Sequence, residues 1–487
     1  MENRTSGIEH RAPSIEYRAS GNEHRDMNLA GRTILVVGLA RSGIAAARFL
    51  ARRGAKVRAT DLAPADRIGP AAAELRALGV ELELGGHRPE SFTRADLIVI
   101  SPGVPHRMPL LEAARAHGAP VIGELELAAR FIAEPIVGVT GTNGKTTVTE
   151  LIGAMLAASG RRVFVGGNIG TPLIGYVDGA APAEVVVAEV SSFQLDTIET
   201  FRPQVGVLLN ITADHLDRYP DFDAYARSKL RLFANQQPGD TAVLNGSDPA
   251  VRARAGAIAA GILYFNAPRG DGAARLEGRV LRLRLPNRAE SRLDLGRFGL
   301  RGPHNLENAA AAALAALSAG ASPDGVQAAL DGFAAAPHRM ETVATVGGVE
   351  YVNDSKATNV DAVRRGLESF AQPVVLIMGG VDKGGDFRLL RDAARARGKA
   401  LVLVGGAREA IRAALGGILA VHEAADMAEA VRRAADLAAP GDVVLLAPGC
   451  ASFDRYANYQ ERGEDFRRAV VRRAEADAAT TAKEPTR

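Results

Sequence analysis

Val137–Val148 reads VGVTGTNGKTTV. Apolar residues Ile136, Val137 and Val139 lead into it, and an apolar helical pattern runs on from Val148 to Leu156. The spacing therefore predicts a strand, a glycine loop and a helix. The loop's backbone N–H groups and the positive end of the helix make a cradle for phosphate. Lys145 can reach the outer phosphates, and the Thr146 hydroxyl can face a magnesium ion. The strict pattern G-x-x-x-x-G-K-[ST] is broken, because Val139 stands where its first glycine belongs. A structural glycine turn is the bland alternative; the strand–loop–helix context favours nucleoside triphosphate.

Working outward, 487 residues are enough for about three domains. Hydrophobic residues at 47% and charged residues at 24% fit a globular chain. The net charge of +3 is spread along the chain, which suits a phosphate-rich small substrate and does not demand nucleic acid. A single cysteine, Cys450, excludes an intramolecular disulfide and fits a reducing compartment such as the cytoplasm. No run of about 18 apolar residues occurs, so no membrane span is expected. Residues 1–26 are polar and lack both a periodic apolar face and a signal-peptide core, so they read as a disordered extension. The folded pattern begins just after Met27, an alternative start.

The first domain is expected over residues 27–123. Thr33–Val37 is a β-rich run entering GLARSG (Gly38–Gly43), and an amphipathic helix follows to Gly54. Val57–Thr60 is a second strand, closed by Asp61. The turn lacks the G-x-G-x-x-G spacing of a dinucleotide fold, which argues against a nicotinamide oxidoreductase. Asp61 stands where a ribose- or base-binding acid would, and equally where a solvated strand-end acid would. Leu97–Ile100 runs into SPGVP, another sharp turn at a strand end.

Residues 124–335 form the expected second domain. Arg162–Val165 leads into GGNIGTPL, and Val185–Val190 places Glu189 at a strand end beside the phosphate loop. A carboxylate there suits magnesium. Val205–Asn210 ends in a polar cluster of Asp214, His215 and Asp217. Phe222–Phe233 reads as a helix carrying Lys229, on these grounds a plain basic residue. Further strands are read at Thr241–Leu244, Ile262–Phe265 and Leu281–Leu285. The helix Gly302–Leu317 begins with His304, Asn305 and Asn308, which either cap it or read an adenine edge. The third domain, residues 336–487, has strands at Val349–Val352, Val374–Met378, Ala400–Val404 and Val443–Ala447, each ending in glycine or polar residues. That is another doubly wound α/β pattern with ligand groups at the strands' carboxyl ends. The tail from Asp477 reads as frayed.

Seven segments occur in order: TGTNGKTT (Thr140–Thr147), EVSSFQLD (Glu189–Asp196), HLDRYPDFDAY (His215–Tyr225), HNLENAAAA (His304–Ala312), PHRME (Pro337–Glu341), NDSKATN (Asn353–Asn359) and PGCASFD (Pro448–Asp454). Together they closely resemble the Mur ligases, the ATP-dependent amide ligases of peptidoglycan precursor synthesis. EVSSFQLD, DSKATN and CASFD are most similar to the branch that adds D-glutamate to UDP-N-acetylmuramoyl-L-alanine. The DNPR-type motif of the diaminopimelate- or lysine-adding branch is absent from the sequence.

The resemblance implies an α/β chain of three domains: an N-terminal Rossmann-like domain, a central P-loop-type mononucleotide-binding domain and a C-terminal Rossmann-like domain. It implies ATP and two magnesium ions as cofactors, and a monomer acting on small molecules, with no nucleic-acid partner. The substrate carboxylate would attack the γ-phosphate, and the amine of D-glutamate would then attack the acyl phosphate. By the same resemblance Lys145, Glu189, His215 and Lys229 are the catalytic set, with Thr146, Glu189, His215 and Lys229 around metal and Lys229 carried as a carbamate. ATP contacts fall on Gly141, Thr142, Asn143, Gly144, Lys145, Thr146, Thr147, His304, Asn308, Arg339 and Asp354. Arg41, Ser42, Asp61, Leu62 and Asn168 match the contacts to the UDP-linked substrate. Lys356, Thr358, Lys383, Ser452 and Tyr459 match the amino-acid pocket. The third domain is expected to swing closed over ATP and D-glutamate and so keep water from the acyl phosphate.

Overall fold

In the computed structural model the described residues are 27–179, 181–268, 272–334 and 336–481. The expected N-terminal extension, residues 1–26, lies outside them. The first sheet contains β1 (Thr33–Val37), β2 (Lys56–Asp61), β3 (Glu81–Leu84), β4 (Leu97–Ile100) and β5 (Val121–Gly123), all parallel, in the order β3-β2-β1-β4-β5. The order reverses beside β1, which opens a crevice at the carboxyl ends of β1 and β4.

The second sheet contains β6 (Ile136–Thr140), β7 (Val163–Gly167), β8 (Val185–Glu189), β9 (Val205–Leu208), β10 (Thr241–Asn245) and β11 (Gly261–Phe265). It is parallel, with the order β11-β10-β9-β6-β8-β7. Every residue of β6, β8 and β9 is buried, as continuous apolar runs between two helical layers require. The phosphate-loop helix, Lys145–Ala158, is apolar nearly all round because it packs between the sheet and the helices Pro303–Ser318 and Pro323–Gly332. A small antiparallel sheet of β12 (Ala274–Glu277), β13 (Val280–Leu283) and β14 (Ser291–Asp294) is appended beside it.

The third sheet contains β15 (Glu341–Val346), β16 (Val349–Asn353), β17 (Val374–Met378), β18 (Gly398–Leu403), β19 (Ala420–Glu423) and β20 (Val443–Leu446), in the order β15-β16-β20-β17-β18-β19. It is parallel except for β15, which forms a hairpin with β16. No described helix is long and apolar enough to cross a membrane.

The buried strands of four or more residues lie where their apolar runs place them, within two residues. Six strands escape the sequence pattern: β3, β5, β12, β14, β15 and β19. Five of them have only three or four residues, four carry charge on exposed positions, and the longer β15 is a half-exposed edge strand, so their hydrophobic signal is weak. Two expectations are corrected. The predicted helix Phe222–Phe233 is α-helical only to Leu230 and tightens into a 3₁₀ turn over Arg231–Phe233. The final helix, Tyr459–Thr481, runs through Asp477 where fraying was expected.

The first two sheets share one apolar cluster, which runs from Ile34 and Phe49 through Leu125 and Leu127 to Val186 and Leu208. The joint is reinforced by Glu126, which is fully buried. Its carboxylate accepts from the backbone N–H groups of Glu199 (2.9 Å), Thr200 (3.0 Å) and Phe201 (3.0 Å), from the Thr200 hydroxyl (2.7 Å) and from Arg130 (2.9 Å).

Candidate functional site

The phosphate loop leaves β6 at Thr140, and the helix starts at Lys145 with Gly144 as its N-cap, at φ +87°. A Cβ at Gly144 would lie 2.6 Å from Asn308 Oδ1, so both the backbone twist and the close approach require glycine. Asn210, just past β9, staples the loop: its Oδ1 accepts from Asn143 N (2.9 Å), and its Nδ2 donates to Asn143 O (3.0 Å). Thr142 Oγ1 bridges to Thr212 O (3.1 Å) and contacts the Tyr225 hydroxyl (3.2 Å). No side chain among the described residues caps the helix, so its first-turn N–H groups are left for a ligand.

Lys145 curls back over this loop, donating to Gly141 O (2.9 Å) and Thr142 O (2.8 Å). Lys229, 1% exposed, donates to the same Gly141 O at 2.9 Å and lies 4.4 Å from the Tyr225 ring centroid. Burial lowers the pKa of both lysines, and the charge on Lys145 lowers Lys229 further, well below the ordinary lysine value. Two ammonium groups converging on one carbonyl favour the neutral amine at Lys229.

Glu189 ends β8, opposite Val139 of β6. Its Oε2 accepts from Thr146 Oγ1 (2.5 Å) and its Oε1 from Asn168 Nδ2 (2.7 Å). One buried carboxylate and one hydroxyl side by side are hard oxygen donors, the chemistry magnesium takes. Among the described residues no group of three or more His, Cys, Asp or Glu is placed to hold a metal. Magnesium here would therefore draw the rest of its shell from phosphate oxygens and water.

Asp214 and His215 lie across the cleft. His215 adopts φ +55°, a strained conformation for a side-chain-bearing residue. Its ring packs edge-on against Phe193, and burial lowers its pKa. Asp217, by contrast, is exposed and is not part of the cleft wall, so it does not belong to the cluster expected from sequence. Asp214 Oδ1 accepts from Lys383 Nζ (3.0 Å), and Oδ2 from Asn359 Nδ2 (3.1 Å). Burial would raise the Asp214 carboxyl, but the charges of Lys383 and His215 and the hydrogen bonds from Lys383 and Asn359 together outweigh it and hold the group below its usual value.

The third domain completes a cleft of about 720 Å³ lined by the phosphate loop, Asn168, Glu189 and His215 on one side and Arg339, Asp354, Lys356, Thr358 and Lys383 on the other. Thr147, His304 and Asn308 line it as well. The helix Pro303–Ser318 has no side-chain cap; Asn305 donates to Arg301 O, and Asn308 donates to Asn305 Oδ1. The capping alternative is therefore set aside. Burial lowers His304 to about 4, so its ring is neutral. Burial also raises Asp354 to about 7 and lowers Lys356 to about 8.

Lys356 Nζ lies 4.1 Å from the Tyr459 ring centroid. Ser452 is buried and, like Tyr459, is not part of the cleft wall. Arg462, which carries no motif signal, is 2% exposed, and among the described residues its hydrogen-bond acceptors are all neutral. It donates to Ser355 Oγ (3.0 Å), Ser355 O (2.9 Å), Cys450 O (3.2 Å) and Ala451 O (3.4 Å), fastening together the loops that carry Lys356 and Ser452.

Arg41, Ser42, Asp61 and Leu62 stand apart, at the carboxyl edge of the first sheet and outside the wall of this cleft. Asp61 accepts from Leu39 N (2.5 Å) and Ala63 N (2.7 Å), and Leu62 is 70% exposed. Arg41 reaches the second domain, donating to Asn168 O at 3.4 Å. Asn210, Tyr225, Asp361 and Glu150 are further polar groups in or beside the cleft that sequence reasoning missed; a lone polar residue in a helix or loop carries no signal until the fold gathers it.

Comparison with known proteins gives three family matches: the Mur ligase MurD-like N-terminal domain over residues 32–123, the Mur ligase middle domain over 139–316 and the Mur ligase glutamate ligase domain over 338–450. The UDP-N-acetylmuramoylalanine–D-glutamate ligase of Desulfosudis oleivorans is 53% identical over 450 residues, covering 92% of this chain and 98% of that protein. The enzyme of the same name from Desulfatibacillum aliphaticivorans is 52% identical over 445 residues, covering 91% and 99%. Among solved structures, MurF ligase from Thermotoga maritima in complex with ADP aligns with a TM-score of 0.57 at 17% identity, over 92% of this chain and all of that one. UDP-N-acetylmuramate-alanine ligase MurC from the same organism aligns with a TM-score of 0.55 at 19% identity, over 91% of this chain and 100% of that one. At such identities the structural likeness speaks for the fold.

Proposed function

The chain belongs to the Mur ligase family, and on that premise we propose that it ligates D-glutamate to UDP-N-acetylmuramoyl-L-alanine, consuming ATP and releasing ADP and phosphate. The observation that carries this reading is the single cleft in which a phosphate loop with Lys145 faces Lys356 and Lys383 of the third domain. Two anions must meet there, a substrate carboxylate and a γ-phosphate, and then a second carboxylate-bearing amino acid must arrive. Converging cations make that possible.

In the first step a substrate carboxylate oxygen bonds to the γ-phosphorus as the β–γ bridging bond breaks and ADP departs. In the second, the D-glutamate nitrogen bonds to the acyl carbon, loses a proton, and phosphate leaves with the former carboxylate oxygen. Lys145 is assigned to the γ-phosphate; Gly141, Thr142, Asn143, Gly144, Thr146 and Thr147 wrap the phosphates. His304, Asn308, Arg339 and Asp354 are assigned to base, phosphate and ribose. Arg41, Ser42, Asp61, Leu62 and Asn168 would hold the UDP-linked substrate, and Lys356, Thr358, Lys383, Ser452 and Tyr459 the amino acid.

Magnesium would be held by Thr146 and Glu189, with His215 and a carbamate on Lys229 around a second ion, and would neutralise charge developing on the phosphates. The Lys229 environment supports the carbamate, since an unprotonated buried amine can add to CO₂ with loss of one proton. On this reading residues 27–123, 124–335 and 336–487 are the UDP-substrate, ATP and D-glutamate domains of a cytoplasmic enzyme active as a monomer. ADP release should require both UDP-N-acetylmuramoyl-L-alanine and D-glutamate, and should vanish in Lys145→Ala. Release that proceeds equally with L-alanine or diaminopimelate would overturn the substrate assignment, and full activity in Lys145→Ala would overturn the role of the loop.

A further inference from the structure

No apolar cluster among the described residues joins the third domain to the other two. Polar contacts make the connection, and several converge on one residue of the phosphate loop. Asn143 Nδ2 donates to Asp361 Oδ2 at 2.9 Å, and Asn143 Oδ1 accepts from Asn359 Nδ2 at 3.1 Å. The backbone of Asn143 is held by Asn210 of its own domain, while its carboxamide is held by the third domain, 218 residues further along the chain. Asn143 directly precedes Gly144 and Lys145, so its orientation sets that of the loop.

Asp361 stands in the first turn of the helix Val360–Glu368, whose N-cap is Asn359. An acid there is favoured by the helix dipole, and its bonds to Arg364 (2.6 Å) and Arg365 (2.9 Å) follow from ordinary i+3 and i+4 spacing. Neither feature accounts for the bond to Asn143. Burial would raise its carboxyl, but Arg365 and Arg364 outweigh that and keep it ionised, so the bond to Asn143 is charge-assisted. Asp361 is not part of the wall of the main cleft, whereas Asn143 is. A charge that does not face the nucleotide thus grips a residue that does.

We propose that Asp361 is a positioning residue for nucleotide binding: by holding Asn143 it fixes the phosphate loop when the third domain is docked. Nucleotide and third domain are then coupled in both directions, because whatever orders the loop favours docking and docking orders the loop. The inference rests on the nucleotide part of the proposed function and is independent of which amino acid is ligated.

The test is a double-mutant cycle read by calorimetric titration of magnesium–ATP into the full chain. Asp361→Ala should weaken ATP by about tenfold, the usual worth of a charge-assisted hydrogen bond. Asn143→Ala should weaken it at least as much, and the double variant should bind no more weakly than Asn143→Ala alone. Small-angle scattering should show ATP-bound Asp361→Ala as more extended than ATP-bound wild type. If Asp361→Ala does not fold, Asp361→Asn carries the same cycle, with an expected loss of about threefold. Losses that multiply in the double variant, or an Asp361 variant that binds ATP as wild type does, would overturn the proposal. So would a wild-type chain that does not bind ATP. Wild type that binds ATP but shows no D-glutamate-dependent turnover would sink the substrate assignment and leave the cycle valid.

Discussion

Replacing Glu126 by glutamine tests the joint on which the first two domains depend. The carboxylate is fully buried. Its Oε2 receives three backbone N–H groups, those of Glu199, Thr200 and Phe201. Its Oε1 receives the Thr200 hydroxyl and Arg130 Nε. Glutamine keeps the shape but turns one of these acceptors into a donor. The less costly orientation points the new NH₂ at Thr200, whose hydroxyl can rotate to accept. The Arg130 bond is then lost, at about 1.5–3 kcal/mol for a bond to a charged group. The three remaining backbone bonds also lose their charge assistance, which roughly halves each and adds about 2 kcal/mol.

The sum, about 4 kcal/mol, is a large part of the roughly 5–15 kcal/mol a domain has available. Urea unfolding followed by far-ultraviolet circular dichroism reads it. With a slope of about 3 kcal/mol per molar, the transition of the first two domains should move down by more than about 1 M. The transition of the third domain, which shares no apolar cluster with them, should stay in place. Exposed Glu90→Gln serves as the control and should change nothing measurable. A Glu126→Gln shift smaller than about 0.2 M would refute the reasoning, because it would mean the N–H cradle does not depend on the charge.

Two further outcomes follow from the same geometry. Gly144→Ala must place a side chain at φ +87° and push Asn308 Oδ1 from 2.6 Å. The backbone strain of about 1–2 kcal/mol and one disturbed hydrogen bond of about 1 kcal/mol should weaken ATP by about fiftyfold, measured by calorimetry; unchanged affinity would contradict the strain argument. For Asp354, burial raises the folded carboxyl to about 7. An acid whose pKa is raised on folding binds more protons folded than unfolded between its ordinary range and about 7. Its contribution to stability is therefore complete at low pH and lost as pH rises through that window. Asp354→Asn should gain stability over wild type at pH 8, by a few kcal/mol in the third domain's unfolding, and the gain should vanish near pH 4. A gain independent of pH would show that the carboxyl does not titrate as its burial implies.

The sequence by itself determined a good deal about this protein. The continuous apolar runs fixed the buried strands β6, β8, β9, β17 and β20, because a strand covered on both faces must be apolar throughout. The loop after β6 was legible for the same local reason: glycine at a left-handed position and a lysine–threonine pair at a helix start are chemistry written in adjacent residues. Edge strands such as β19, with AVHE, were not legible, since half-solvated four-residue strands carry almost no periodic signal.

Only the tertiary structure decided which polar residues act together. Lys145 and Lys229, 84 positions apart in the sequence, meet on the Gly141 carbonyl, and the lowered pKa of Lys229 arises from that burial and that neighbour. Asp214 with Lys383, Asn143 with Asp361, and Arg462 with Ser355 are pairings of the same kind. Charge and desolvation act through distance in space. A single polar residue looks the same in sequence whether it ends in solvent, as Asp217 does, or in the cleft, as Asp214 does.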